Sequence, residues 1–259
     1  MAYETVLVAH ADAVSTLTLN RPPVNAVSPV LMQDVLAALD ELEARDATRC
    51  IVLTGSGAKA FSAGADISGG PRTPDEAVRF RELGRRVVDR VETIGKPVIA
   101  AIRGWCIGGG FGIAMACDVR LASSTAKFRT GDAYLGVVPS WGMSLVRLVH
   151  YIGRNRTLDM LMLGEDMAAE QAEAIGLVSR VIRDGDFDAE VTRLAARVAG
   201  GAPISFRAIK EAIRAQYWQT PEEAQRLETR WAEIGAGSED FREGVAAFRD
   251  KRPPVFKGR

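Results

Sequence analysis

The sequence is poor in the side chains that most often hold metals or act as nucleophiles. Its 259 residues include two histidines and three cysteines, without paired metal ligands or a nucleophile-elbow serine. The cysteines are odd in number and scattered through apolar runs, which predicts reduced thiols in a cytosol-like compartment. We therefore expect a cytoplasmic protein without a metal site.

Net charge and long apolar runs are missing as well. The 33 basic and 33 acidic residues cancel to a formal charge of zero, so no overall field would recruit nucleic acid or an anionic membrane. No apolar run approaches the roughly 20 residues that span a bilayer, and the N-terminus lacks a basic region followed by an apolar stretch. The expected partners therefore include neither nucleic acid nor a membrane.

The sequence does contain a regular alternation of strand and helix patterns, followed by helices alone. Apolar spacing predicts strands at 4–8, 14–19, 49–54, 97–102 and 119–122 and helices at 29–45, 75–94 and 111–117. It then predicts helices at 188–199, 203–216, 221–235 and 239–249. Such alternation is typical of an α/β fold with parallel strands and right-handed crossovers. We predict a core over residues 1–187 and a helical region over 188–259.

Two glycine-containing segments, each of which follows a predicted strand, are the most informative feature. They are 60–67 (AFSAGADI) and 104–112 (GWCIGGGFG). Glycine lets a ligand approach the backbone closely, and a helix N-terminus presents unpaired N–H groups at the positive end of the helix dipole. Two such turns side by side would aim one N–H each at a single carbonyl oxygen, which is the arrangement of an oxyanion hole.

A third glycine pattern, 55–60 (GSGAKA), formally matches the dinucleotide-binding fingerprint. That fingerprint requires a helix to begin at the turn and an acidic residue about 20 positions later. The helix-breaking stretch 61–64 follows instead, and the acidic residue is missing. We therefore expect no nicotinamide or flavin cofactor.

The two glycine segments resemble those of the crotonase superfamily, the enoyl-CoA hydratase/isomerase fold. The likeness runs nearly end to end and includes 20–26 (NRPPVNA), 170–178 (EQAEAIGLV) and 248–256 (FRDKRPPVF). It implies an α/β crotonase (ClpP-like) spiral of ββα units with a helical C-terminal trimerisation region. It further implies an acyl-CoA substrate, with CoA as part of the substrate and no separate cofactor, and a homotrimer or a hexamer built as a dimer of trimers.

The resemblance also implies roles for individual residues. The backbone N–H groups of Ala65 and Gly109 would hold the thioester oxygen, and Asp132 would be the acid/base, one methylene shorter than the glutamate of related hydratases. The first hydratase glutamate falls on Gly112, where this chain departs from the pattern. The expected substrate- and CoA-binding positions are Arg21, Val24, Ala26, Lys59, Ala63, Asp66, Ile67, Gly108, Tyr134, Leu135 and Trp141.

Several of these positions have an equally plain structural interpretation. Arg21 and Lys59 would contact CoA phosphates or simply be solvated surface cations. Tyr134 and Trp141 would line an acyl pocket or pack in the core. Cys106, beside the glycine triplet, is expected to pack as a small hydrophobic residue.

The loss of one carboxylate bears on the reaction. Hydration usually shares acid and base work between two carboxylates, whereas a 1,3-proton shift needs one base. Asp132 alone therefore suits double-bond isomerisation of an enoyl-CoA at least as well as its hydration. A hydroxycinnamoyl-CoA hydratase-lyase-like activity, a catalytically inactive CoA-thioester-binding homologue and nucleic-acid binding by the arginine-rich helix 75–94 remain open alternatives.

Overall fold

The computed structural model describes residues 3–69, 73–139, 145–215 and 220–259. In chain order its strands are β1 Val6–Ala11, β2 Val14–Leu19, β3 Cys50–Gly55, β4 Ala60–Ser62, β5 Val98–Ile102, β6 Trp105–Ile107, β7 Val119–Ser123, β8 Lys127–Arg129, β9 Met167–Ala168 and β10 Arg180–Ile182. Its helices are α1 Pro29–Ala44, α2 Pro74–Thr93, α3 Gly108–Met115, α4 Leu145–Ile152, α5 Arg154–Leu163, α6 Ala169–Ala174, α7 Phe187–Ala199, α8 Pro203–Ala215, α9 Pro221–Gly237 and α10 Glu239–Arg249.

The larger of two sheets has six strands in the order β1-β2-β3-β5-β7-β10. β1 and β2 form an antiparallel hairpin, and every later neighbour pair is parallel. The chain returns between β2 and β3 through α1, whose first turn is capped by the Ser28 hydroxyl accepting from the Leu31 amide. The predicted parallel α/β core is therefore confirmed, with strand limits that differ from the predicted ones by at most three residues.

The smaller sheet was not anticipated from the sequence. Its strands are ordered β4-β6-β8-β9, and the first three are parallel. Each of them directly follows a strand of the larger sheet, so that β3-β4-α2 and β5-β6-α3 are successive ββα units of the predicted spiral. Strands of three residues are too short to give a period-2 pattern, which is why the sequence did not predict them.

Helix α3 begins earlier than predicted. The expected start was Phe111, but the helix begins at Gly108, so the glycine triplet is its first turn. Gly108 has φ +48°, which favours glycine and turns the chain directly from β6 into the helix. The predicted start was wrong because three glycines have no side chains to show an apolar period, while glycine is tolerated at the start of a helix.

Helix α7 covers the outer face of the larger sheet. Its Phe187, Val191 and Ala195 are buried in one cluster with Val52 and Ile99. The predicted boundary between residues 187 and 188 coincides with the start of this helix and stays a prediction. No described helix combines the length and the apolar content needed to cross a membrane.

The three cysteines are buried and unpaired. Burial raises the pKa of Cys50 and of Cys117 to about 12, and it raises the pKa of Cys106 well above its ordinary value. A buried thiol with a raised pKa supplies little thiolate and is a poor nucleophile. Cys106 therefore packs in the core, as the sequence predicts.

Candidate active site

Three predicted catalytic residues follow the three parallel strands of the smaller sheet. Ala65 comes three residues after β4, Gly109 two residues after β6, and Asp132 three residues after β8. β4 pairs with β6, and β6 pairs with β8, in parallel registers. Because the carboxyl ends of parallel strands meet at one edge of a sheet, the structure brings these three residues to the same edge.

The two glycine turns touch each other at this edge. Gly64 has φ +85°, and a Cβ added to it would lie 2.9 Å from the Ile107 carbonyl oxygen. A Cβ added to Gly108 would lie 3.7 Å from the Gly64 Cα. Glycine at position 64 is therefore required both by its backbone conformation and by the closeness of the second turn.

Two backbone N–H groups are left available where the turns meet. The Val27 amide donates to the Gly64 carbonyl at 2.7 Å and the Asp66 amide donates to the Val27 carbonyl at 2.9 Å. The Ala65 amide between them has no acceptor among the described residues. The Gly109 amide lies in the first turn of α3, where no preceding helical carbonyl can accept. Such a pair of unpaired donors suits a carbonyl oxygen or an oxyanion.

Asp132 supplies a carboxylate whose second oxygen lacks a partner. It begins a 3-10 turn over Asp132–Leu135, and its Oδ2 atom is buried without a hydrogen bond in the described chain. Burial raises the pKa of this carboxyl above the ordinary aspartate value. A buried carboxylate oxygen without a hydrogen bond destabilises the fold, which is typical of a group kept for binding or catalysis. The raised pKa also brings Asp132 closer to the range of a general base.

Asp66 is a second carboxylate near this edge, but it is already engaged. Its Oδ1 accepts from the Ser68 hydroxyl at 2.7 Å and its Oδ2 accepts from the Arg21 guanidinium at 2.6 Å. Hydrogen bonds from Ser68, Gly69 and Arg21 lower the pKa of Asp66 to about 2. A carboxylate with that pKa is a weak base, so Asp66 is poorly suited to replace the missing glutamate.

The predicted binding residues fall into an inner and an outer group. In the inner group, the Val24 carbonyl accepts a hydrogen bond from the Ala63 amide at 2.9 Å. The Arg21 guanidinium donates to the Ala26 carbonyl and to the Asp66 carboxylate. The outer group is exposed to solvent and consists of Lys59, Ile67, Tyr134 and Leu135. Lys59 makes no ion pair with any described residue. The predicted Trp141 lies outside the described residues.

Tyr134 is exposed but held in place. Its hydroxyl donates to the Met162 carbonyl at 2.8 Å, and a Cβ added to Gly164 would lie 2.9 Å from its ring. The residue is 67% exposed. It therefore does not pack in the core of the single chain, and the predicted contact with an acyl group stays a prediction.

Asn25 is a supporting residue that sequence reasoning missed. Its buried side chain donates to the carbonyls of Ser56 and Ala60 and accepts from the Arg21 amide and the Ser56 hydroxyl. All four hydrogen bonds of the amide group are thus made. The sequence signal for this residue is the asparagine in the 20–26 motif. Asn25 has φ +52°, a conformation that asparagine tolerates better than most residues.

Comparison with known proteins gives consistent likenesses over the whole chain. The family model described as "Enoyl-CoA hydratase/isomerase" matches residues 9–259. A probable enoyl-CoA hydratase of Rhizobium meliloti is 39% identical over 266 residues and covers 100% of both chains. The crotonyl-CoA hydratase of Syntrophomonas wolfei is 32% identical over 258 residues and covers 99% of both. A crystal structure of enoyl-CoA hydratase from Bacillus anthracis superimposes with a TM-score of 0.93 at 30% identity, covering 99% of this chain and 100% of that one.

Proposed function

Because the chain belongs to the enoyl-CoA hydratase/isomerase family, and is thus an enzyme of that family, we propose that Asp132 is its acid/base. In this proposal the amides of Ala65 and Gly109 hold the thioester oxygen of an enoyl-CoA. The observation that carries the proposal is the common sheet edge, where two unpaired donors and a carboxylate with an unpartnered buried oxygen come together.

The proposed chemistry passes through an enolate of the thioester. Negative charge develops on the thioester oxygen either when deprotonated water adds to C3 of a 2-enoyl group or when a proton is removed from the substrate carbon chain, and the two amides stabilise it. The loss of one such donor typically costs about 3–4 kcal/mol of transition-state stabilisation. Asp132 takes the proton, from water in hydration or from carbon in isomerisation, and returns it to the carbon chain, at C2 in hydration and at the other end of the shifted double bond in isomerisation. Its carboxyl must therefore be unprotonated at the start.

Double-bond isomerisation is the second candidate reaction, and the residue at position 112 favours it. Gly112 lies inside α3 and has no side chain to act as the second carboxylate. Asp66 is held by Arg21 and Ser68. A single carboxylate that moves a proton along the chain suffices for isomerisation, whereas hydration must also activate water.

Product analysis in heavy water tests the proposal. The purified protein and its Asp132→Asn variant would each receive a 2-enoyl-CoA, a 3-enoyl-CoA and a hydroxycinnamoyl-CoA, and product masses would be recorded. Water gained by the 2-enoyl substrate supports hydration, and a shifted double bond without added water supports isomerisation. Addition of water to the hydroxycinnamoyl-CoA followed by cleavage to a hydroxybenzaldehyde and acetyl-CoA supports the lyase-like alternative. Turnover that the variant retains in full, or no turnover of any thioester that binds, would contradict the proposal.

The pH dependence of kcat is expected to follow the Asp132 carboxyl. A base works only when it is unprotonated, so kcat falls as the pH drops through its pKa. Because burial raises that pKa, the acid limb should lie above the ordinary aspartate value of about 3.9. A kcat profile measured over the acid to neutral range checks this. A profile flat down to that ordinary value would count against Asp132.

We also propose a homotrimer, or a hexamer built as a dimer of trimers, in a cytoplasmic setting. Apolar side chains of α8 and α10 are exposed in the single chain, namely Ile209, Ile213, Phe241, Val245 and Phe248. Exposed apolar patches of this kind are typical of subunit interfaces, and three unpaired cysteines suit a reducing compartment. Light scattering on the protein as it elutes from a size-exclusion column should give three or six times the single-chain mass of 27.9 kDa. A monomer would overturn the assembly.

A further inference from the structure

Ser62 lies between the two glycine turns and bonds to one of them. It is the last residue of β4 and is fully buried. Its hydroxyl donates to the Asn25 carbonyl at 2.7 Å and accepts from the Gly64 amide at 3.3 Å. The Ser62 hydroxyl therefore connects the turn that carries Ala65 to the loop that contains Asn25. Asn25 is itself held in place, because its side chain is fully hydrogen-bonded.

The same serine packs directly against the other turn. Gly110 is the third residue of α3, next to Gly109. A Cβ added to Gly110 would lie 2.6 Å from the Ser62 Oγ and 2.9 Å from the Ser62 carbonyl oxygen, so no room exists there for a side chain. Ser62 also pairs with Cys106 across β4 and β6. Ser62 is thus held from both sides, by one hydrogen bond to the first turn and by contact with the second.

We infer that Ser62 is a positioning residue that fixes the distance between the Ala65 and Gly109 amides. The inference rests on the proposed function, since it assumes that both amides act on one thioester oxygen. Donors in such a site work because they are pre-aligned, and a misplacement of about 1 Å can cost about 100-fold in rate. Without the hydroxyl, the Gly64 amide loses its acceptor and the Ala65 turn is free to shift relative to α3.

The test compares Ser62→Ala with Ser15→Ala, a matched removal of a buried hydroxyl elsewhere. Ser15 lies on β2, is 1% exposed and bonds to the side chains of Thr48 and His10. Infrared spectra of bound [1-13C]butyryl-CoA report how strongly the amides polarise the thioester carbonyl. We expect Ser62→Ala to move the infrared band of the bound thioester carbonyl back toward its position in solution. The variant should also lower kcat about tenfold, with KM within about twofold of the wild-type value. Ser15→Ala should change neither.

The outcomes separate this inference from the proposed function. If the wild-type protein leaves the bound carbonyl band where it is in solution, the proposed donor pair is wrong. If the wild-type band is shifted but Ser62→Ala leaves both the band and kcat unchanged, the role of Ser62 is overturned and the donor pair stands. Equal shifts in Ser62→Ala and Ser15→Ala would show general loosening and would also overturn it. Gly110→Ala, which presses on Ser62 from the opposite side, provides a second variant with the same expected band shift.

Discussion

Replacing Asp132 with asparagine is expected to lower kcat by about a thousandfold, because the variant loses the group that moves the proton. Asparagine keeps the shape of the side chain and cannot accept a proton in this range. Binding of a CoA thioester should change little, since the two amides remain. Steady-state kinetics with the enoyl-CoA that the wild-type protein converts fastest, together with a titration of butyryl-CoA, measure the two effects separately.

Asp66→Asn is the matched control for this variant. It makes the same chemical change near the same sheet edge, in a carboxylate that Arg21 and Ser68 already hold. We expect it to keep kcat within a few-fold of the wild-type value, because a carboxylate with a pKa of about 2 is a weak base. Any larger effect should fall on KM, since Asp66 and its partner Arg21 are predicted CoA-binding positions. If both variants lose activity equally, Asp132 is not the only acid/base and the proposed single-carboxylate chemistry is wrong.

The stability of Asp132→Asn should move in the opposite direction to its activity. Burial raises the pKa of Asp132 above its value in the unfolded chain, so the fold favours the protonated form. Ionising the buried carboxyl therefore lowers the free energy of unfolding. This destabilisation is absent below the unfolded-state pKa and is complete once the pH has risen through the folded-state pKa. Asparagine removes it, so the variant's melting temperature at neutral pH should equal or exceed that of the wild type. A loss of activity with a lower melting temperature would instead indicate damage to the fold.

The sequence predicted the larger features of the fold because their signals are local. The apolar period of α1 and the buried run of β3 are each readable within one element. The three-residue strands β4, β6 and β8 carry too few positions to show a pattern, and they form only because neighbouring ββα units stack. The resemblance supplied Ala65, Gly109 and Asp132, while their common edge follows from those short strands.

What the sequence could not give are properties of contacts between distant segments. The Asn25 amide bonds to residues 31 and 35 positions away, and Ser62 reaches Asn25 across 37 positions. The low pKa of Asp66 depends in part on Arg21, 45 residues earlier in the chain. Hydrogen-bond partners of this kind are set by the folded packing, so no spacing rule predicts them.

Replacing Gly64 with alanine is expected to lower kcat by about 100-fold, because it pushes apart the turns that carry the two proposed donors. The new Cβ would lie 2.9 Å from the Ile107 carbonyl oxygen, which belongs to the backbone and cannot rotate away. The Ala65 turn must therefore move away from Gly108. An oxyanion site works because its donors are aligned in advance, so moving the two donors apart by a few tenths of an ångström or more weakens it. The loss of one donor lowers kcat about 100- to 1,000-fold.

Gly57→Ala separates this effect from backbone strain. Gly57 has φ +75°, close to the +85° of Gly64, so alanine pays a similar conformational cost of about 1–2 kcal/mol at either site. A Cβ on Gly57 meets nothing within 4 Å. Both variants should therefore lose melting temperature, and Gly64→Ala should lose more because its Cβ also presses on the Ile107 backbone. Gly64→Ala alone should lose kcat and the shifted carbonyl band of bound butyryl-CoA. If Gly57→Ala lost as much kcat, strain and not the spacing of the turns would be the cause. If neither lost any, the thioester oxygen would have to be held elsewhere than between Ala65 and Gly109.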